Sequence, residues 1–235
     1  MSSSSNPEPK GAILARSPSL PHSKLWQREL AGAFSDPVEL LDYLDLDPDL
    51  LPASQQAASQ FPLRVPRYFA ALMTPGDPTD PLLRQVLPLA DELKPTPGYS
   101  ADPVGDLAAR AGSGMLHKYR GRALLITPGA CAVHCRYCFR RPYPYADEQA
   151  GRDQWREELA ELADRPDIND VLLSGGDPLS LSDPRLAPLL PGLPPLPHLR
   201  RLRPHSLPPV VLPLPPTPAQ SPPPPRRPLA PTPGH

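Results

Sequence analysis

Proline limits what this chain can fold into more than any other residue, through both its number and its placement. The 235 residues include 41 prolines, and 14 of these lie in the last 32 residues, from Pro204 to His235. Proline lacks an amide donor and clashes with helix geometry, so neither a central strand nor a helix can run through such a stretch. We therefore expect residues 204–235 to form a proline-rich tail, either disordered or extended as polyproline II.

The first part of the chain carries signals for short helices. Asp36-Pro37 supplies an N-cap acid and a first-turn proline ahead of an apolar stripe, and Asp80-Pro81 repeats this start signal before LLRQVLPLA. We predict a helical N-terminal lobe over residues 25–102. The polar residues 1–24 are predicted to be a disordered N-terminus.

Residues 103–203 alternate apolar runs with helical patterns. The runs at 123–127, 170–174 and 199–203 predict three buried strands, and 147–163 predicts an amphipathic helix between the first two. Prolines interrupt the helical pattern before the third strand. This order predicts an α/β core, namely part of a parallel (βα) barrel whose reactive groups lie at the carboxyl ends of the strands.

The three cysteines of the chain follow the first predicted strand as C-x3-C-x2-C, at Cys131, Cys135 and Cys138. Three thiolates from one loop can hold three irons of a [4Fe-4S] cube and leave the fourth iron open to another ligand. A structural zinc site would need a fourth protein ligand, and only His134 is close in sequence. The odd number of cysteines argues against a disulfide framework.

Charge and hydropathy exclude some classes of partner. The formal net charge of -1 predicts no nucleic-acid coat. The N-terminal MSSSSNPEPK lacks the order of a signal peptide, and no apolar run is long enough to span a bilayer. We expect a cytoplasmic protein that contacts neither nucleic acid nor membrane.

The motif CAVHCRYCFRR followed by LLSGGDPL, with DPVELLDYLDLDP, ADPVGD and HKYRGRALLIT before them, resembles the radical S-adenosylmethionine enzymes of the lysine 2,3-aminomutase family. More narrowly, the chain is similar to the branch that isomerises lysine for modification of elongation factor P. The resemblance implies an isomerase that converts L-lysine to β-lysine with a [4Fe-4S] cluster, S-adenosylmethionine and pyridoxal 5'-phosphate (PLP). It also implies a reductant protein such as flavodoxin or ferredoxin.

The resemblance implies roles for individual residues. Cluster ligands would be Cys131, Cys135 and Cys138, and the residues contacting the methionyl amino group of S-adenosylmethionine would be Ser174, Gly175, Gly176 and Asp177. PLP would be held by Tyr119 and Arg122, and the substrate carboxylate by Arg140. Taken without the resemblance, the glycine turn can be an ordinary strand-to-helix turn capped by its aspartate, and each arginine a solvated surface charge.

The sequence also departs from the family. The last lysine is Lys118, so no late residue can form the Schiff base with PLP, and we do not expect Lys10, Lys24, Lys94 or Lys118 to replace it. In HSLPPVVLP (205–213), leucine and proline stand where the family has arginine and leucine. We therefore expect a C-terminal part that is truncated or degenerate, and an incomplete PLP site.

Three functional hypotheses follow. The chain is a radical aminomutase or a fragment of one; it is a pseudoenzyme that binds the cluster without completing isomerisation; or it is a non-catalytic metal-binding or interaction protein. In the third hypothesis the proline-rich tail is a docking segment that presents a preformed helix to an aromatic groove.

Overall fold

The computed structural model describes residues 22–112, 114–145, 155–193 and 195–212. The helices are α1 (His22–Ala31), α2 (Pro37–Tyr43), α3 (Leu51–Gln60), α4 (Arg67–Ala70), α5 (Arg156–Ala163), α6 (Asp183–Leu186), α7 (Leu189–Gly192) and α8 (Pro208–Val211). The strands are β1 (Met115–Tyr119), β2 (Arg122–Ile126), β3 (Asp170–Ser174) and β4 (Arg201–Pro204). None of the described helices has the length and apolar character needed to cross a membrane.

Helices α1 to α4 form an N-terminal lobe around one apolar core, and α2 begins where the sequence predicts. The Asp36 side chain accepts a hydrogen bond from the amide of Val38 at 2.9 Å, and Pro37 occupies the first turn. Helix α1 begins at His22, inside the segment 1–24 that we expected to be disordered. The rest of that segment, residues 1–21, lies outside the described residues.

The second helix start signal gives less helix than predicted. Asp80 does accept hydrogen bonds from the amides of Leu82 and Leu83, at 2.8 and 3.0 Å. Only a single 3-10 turn follows, over Leu83–Gln85. Val86 and Leu87 instead enter the core of the lobe, and Pro88 disfavours helical geometry in the residue before it.

The four strands form one mixed sheet in the order β1-β2-β3-β4. Strands β2, β3 and β4 are parallel, as predicted, but β1 pairs antiparallel with β2. The sequence reasoning missed β1. Only Arg120 and Gly121 connect β1 to β2, and a two-residue connection permits only antiparallel pairing. We expected a wholly parallel sheet, and the antiparallel pairing of β1 corrects that expectation.

The third predicted strand lies further along the chain than expected. Strand β4 includes Pro204, which is tolerated because β4 is the last strand of the sheet in the part of the chain described here. The expectation of a disordered or polyproline tail from residue 204 does not hold for residues 204–212. Helix α8 follows, and Val211 and Leu212 are buried in the core of the N-terminal lobe. Residues 213–235 lie outside the described residues.

Helix α5 connects β2 to β3, as the pattern predicts. The described helix begins at Arg156; residues 147–154 of the predicted helix lie outside the described residues. Trp155 precedes the helix with a φ of 70°, and its indole N–H donates to the carbonyl of Arg185 at 2.7 Å. The proline-interrupted segment forms the short helices α6 and α7.

The two faces of the sheet differ in chemistry. One face packs against α5 and α7 through buried apolar side chains, which include Met115, Ala123, Leu125, Leu162, Val171, Leu173 and Leu189. The alternation of side chains along each strand places Arg122, Leu124, Asp170, Leu172, Ser174 and Arg203 on the opposite face. We call this second face the polar face.

Candidate functional site

The cysteine loop, residues 127–141, begins at the carboxyl end of β2 and is anchored to the N-terminal lobe. Ala132 and Val133 are buried in the core of that lobe. The amide of His134 donates to the carbonyl of Arg64 at 3.0 Å, and the amide of Arg136 to that of Gln85 at 2.7 Å. The lobe therefore holds the backbone around the cysteines in one conformation.

Two arginines of the cysteine loop share one carboxylate of the lobe. Arg136 Nε donates to Glu92 Oε1 at 2.8 Å, and the Arg141 guanidinium pairs with the same carboxylate. Burial raises the pKa of Glu92, but the hydrogen bonds from Arg136 and Arg141 outweigh burial, so its pKa is lowered. Glu92 therefore stays charged and holds the cysteine loop at two points, Arg136 between the second and third cysteines and Arg141 after the third.

The turn after β3, Ser174-Gly175-Gly176-Asp177, docks directly on the cysteine loop. The amide of Gly176 donates to the carbonyl of Pro128 at 2.7 Å, and the amide of Asp177 donates to the carbonyl of Ala130 at 2.9 Å. A Cβ on Gly176 would lie 2.4 Å from the Ala130 carbonyl oxygen. Only glycine permits this approach, so the second glycine of the turn is required by packing.

The three cysteines are partly buried neighbours whose thiolates repel one another. Burial, followed by the charge of Asp177 and of the other two cysteines, raises the pKa of Cys131 to about 12. Burial also raises the pKa of Cys135, against a hydrogen bond with Tyr137. Burial thus disfavours ionisation of Cys131 and Cys135 in the chain alone, and a bound iron group would offset this, because the metal supplies the positive charge that stabilises thiolates.

No three histidine, cysteine or acidic side chains converge as ligands of a single metal ion within the described ranges. Such convergence is not required for a cube-shaped cluster, since each thiolate binds a different corner. The candidate fourth zinc ligand, His134, donates its Nδ1–H to the carbonyl of Pro62 at 2.9 Å and stacks its ring on Phe61. Only its Nε2 could then bind a metal, and in the part of the chain that the structure describes His134 does not converge with the cysteines on one ion. The donor set thus fits an iron–sulfur cluster better than a four-ligand zinc site.

A cavity of about 180 Å³ lies on the polar face, beside the cysteine loop. It brings together the three residues that the resemblance implies for PLP and substrate, Tyr119, Arg122 and Arg140, with Asp106 and Lys118. Arg140 Nε donates to Asp106 at 2.7 Å, and Arg140 NH1 donates to the hydroxyl of Ser174 at 3.1 Å. Arg140, which the resemblance implies for the substrate carboxylate, is thus linked to the glycine turn.

The two residues that the resemblance implies for PLP lie at the other end of this cavity. Arg122 begins β2, whereas the cysteine loop follows the end of that strand. Its Nε donates at 3.0 Å to Asp170, which also accepts from Arg203. Tyr119 ends β1 and is 61 % exposed. The cavity therefore extends along the strands, with Arg140 near the cysteines and Arg122 away from them.

Asp177 contacts the segment that follows β4. Its carboxylate accepts hydrogen bonds from the Ser206 hydroxyl at 2.7 Å and from the amides of Leu207 and Leu179, at 2.6 and 3.0 Å. Burial raises the pKa of Asp177, and these hydrogen bonds oppose that rise. As the cap of the turn over Pro178–Ser180, it matches the alternative role considered from sequence.

Three residues of the site were missed by sequence reasoning. They are Asp106 and Lys118, which form an ion pair of 2.9 Å at the cavity, and Tyr145, whose hydroxyl donates to the Gly175 carbonyl at 2.7 Å. The first two lie inside segments that carry the resemblance, ADPVGD and HKYRGR, which was the available signal. Tyr145 follows the cysteine motif with no spacing that distinguishes it.

We predict that Asp170→Asn lowers stability most at neutral pH. Burial raises the pKa of Asp170, but hydrogen bonds from Arg203 and Arg122 outweigh it, so the net shift is downward. A carboxyl with a lowered pKa in the folded state stabilises the protein above its unfolded pKa of about 3.9, and this stabilisation is lost as pH falls through the folded value.

At pH 7 we expect the variant to lose about 1–3 kcal/mol of unfolding free energy, since charged hydrogen bonds are broken and the arginines stay partly exposed. Urea unfolding between pH 2 and 7, followed by circular dichroism, should show the difference shrinking towards low pH. Asp91→Asn, at an exposed pair with Lys94, is the matched control. An equal loss of unfolding free energy at every pH would contradict a stabilising role for the charged Asp170 carboxylate.

Comparison with known proteins supports the resemblance. The chain is 45% identical over 194 residues to the L-lysine 2,3-aminomutase of Escherichia coli (strain K12), a match that covers 82% of the chain and 56% of that protein. It is 41% identical over 201 residues to the L-lysine 2,3-aminomutase of Haemophilus influenzae, a match that covers 86% of the chain and 60% of that protein. With the enzyme of Clostridium subterminale, identity is 30% over 189 residues, covering 80% and 45%.

No family model matches the chain. The chain spans about half the length of the curated relatives it matches. These matches nevertheless extend over most of the chain. Over the residues that it shares with these relatives, the chain belongs to the L-lysine 2,3-aminomutase family.

Proposed function

We propose that this chain is the cluster-binding and S-adenosylmethionine-binding part of a radical isomerase that acts on L-lysine. The observation that carries this proposal is the docking of the cysteine loop on the glycine turn at the carboxyl ends of β2 and β3. Reactive groups of parallel α/β proteins lie at this edge. We infer that the described sheet is part of a radical S-adenosylmethionine barrel.

The residues would share the work as follows. Cys131, Cys135 and Cys138 would hold a [4Fe-4S] cluster, and the glycine turn would present backbone groups to S-adenosylmethionine beside it. When bound, the cluster would supply the electron that cleaves S-adenosylmethionine. Arg140 would orient the substrate carboxylate through its forked N–H donors.

The residues of this chain supply only part of a binding site for PLP. Tyr119 and Arg122 could contact its ring and phosphate, although Arg122 is already paired with Asp170. Lys118, the last lysine of the sequence, is paired with Asp106. We therefore assign to this chain no residue that anchors PLP covalently. A role in modifying elongation factor P, with a flavodoxin-like or ferredoxin-like reductant, extends the same proposal.

Anaerobic reconstitution tests the proposal. We expect about four iron and four sulfide per chain, as in a [4Fe-4S] cluster. On reduction, the loaded chain should cleave S-adenosylmethionine to methionine and 5'-deoxyadenosine. Absence of cleavage by a fully loaded sample would rule out radical chemistry for this chain.

Two further outcomes separate the other hypotheses. Stoichiometric zinc without sulfide after anaerobic purification would favour the metal-binding or interaction protein. Cleavage of S-adenosylmethionine without conversion of lysine to β-lysine would identify a chain that binds the cluster but cannot complete isomerisation.

A further inference from the structure

Asp106 is a buried carboxylate placed between two cations of the cavity. It is 4% exposed and contacts Lys118 Nζ at 2.9 Å and Arg140 Nε at 2.7 Å. Its own amide is held by the Asp102 side chain at 2.8 Å. Burial raises its pKa, but the hydrogen bonds from Arg140 and Lys118 outweigh burial, so the group stays charged.

These contacts fix the plane of the Arg140 guanidinium. Asp106 accepts from Nε on one side, and the Ser174 hydroxyl accepts from NH1. A guanidinium has five N–H donors, so neither contact uses the two donors of NH2 or the second donor of NH1. That outer edge matches the two oxygens of a carboxylate.

We propose that Asp106 is a positioning residue that sets the specificity of the cavity, a role that rests on the proposed function. Its carboxylate occupies the place between Lys118 and Arg140 where a simple anion would otherwise bind. It thereby directs a ligand carboxylate to the outer edge of Arg140. A simple anion such as acetate is thereby kept out of the space between the two cations, which lowers its affinity relative to a larger ligand such as an amino acid whose other groups can also contact the cavity.

Asp106→Asn tests this role in the full chain loaded with cluster, S-adenosylmethionine and PLP. An amide cannot neutralise two cations, so Lys118 and Arg140 would attract anions unspecifically. We expect the ratio of L-lysine affinity to acetate affinity, measured by calorimetry, to fall roughly 10- to 100-fold, as when one charged hydrogen bond is lost. Asp106→Glu should restore part of the ratio, and Asp91→Asn should leave it unchanged.

A second measurement reports the position of Arg140 without any ligand. The Arg140 Nε–H signal in a ¹⁵N NMR spectrum, assigned with Arg140→Lys, should exchange slowly in the unaltered chain and rapidly in Asp106→Asn. An unchanged signal or an unchanged affinity ratio in Asp106→Asn would overturn the proposal and leave the proposed function intact. If the unaltered loaded chain binds no lysine, the proposed substrate falls, and this role with it.

Discussion

Replacing Cys131 by serine should abolish assembly of the iron–sulfur cluster. A serine hydroxyl does not ionise near neutral pH and is a poor ligand for iron, and the sequence contains no other cysteine besides Cys135 and Cys138 that could take its place. We expect iron and sulfide after anaerobic reconstitution to fall from about four per chain to less than roughly one. Cleavage of S-adenosylmethionine should fall below detection.

His134→Asn is the control that distinguishes the two metal sites. His134 is next to Cys135, yet its Nδ1–H donates to the carbonyl of Pro62, a contact that an asparagine amide can replace. An iron–sulfur site should survive this change, whereas a Cys3His zinc site should be lost with either variant. Equal loss of metal in both variants would contradict the iron–sulfur assignment.

The strands next to the site could be predicted because their signals are local. Strand β3 coincides with the apolar run 170–174, and β2 differs from its predicted range by one residue at each end. Burial on both faces of a parallel strand selects such runs directly. The placement of the cysteine loop and the glycine turn at one edge then follows from parallel pairing.

The ion pairs at the site could not be predicted, because they form between segments that are distant in sequence. Asp106 meets Arg140 across 34 positions, and Asp170 meets Arg203 across 33. No periodicity encodes such pairs. Strand β1 was missed for a related reason: its residues MLHKY become a strand by pairing with β2, and three of the five remain exposed or partly exposed.

The start of the tail that proline density predicts, residue 204, lies within the folded part of the described chain. Pro204 lies in a strand, and the turn that follows brings Ser206 and Leu207 to Asp177. These contacts extend the folded region by nine residues beyond the predicted end at 203, to residue 212. A carboxylate at the glycine turn therefore ties the end of the described chain to the site.

Among substitutions that add a single methyl group at the site, Gly176→Ala should lower the stability of the fold the most. The new Cβ would lie 2.4 Å from the Ala130 carbonyl oxygen and 2.6 Å from that of Pro128. Both atoms belong to backbone, so neither can move aside as a flexible side chain would. We expect a loss of about 3 kcal/mol or more of unfolding free energy, together with a large loss of iron uptake, because the two loops must separate.

Gly32→Ala supplies the comparison, since its Cβ would meet only ordinary contacts of 3.5 and 3.8 Å at the end of α1. The urea unfolding midpoint and the iron content of that variant should equal those of the unaltered chain. The two measurements on Gly176→Ala also separate fold from function. Loss of iron uptake with a nearly normal unfolding midpoint would show that iron uptake itself requires the contact between the cysteine loop and the glycine turn. Normal iron uptake with a normal unfolding midpoint would show that the glycine turn and the cysteine loop need not be in contact.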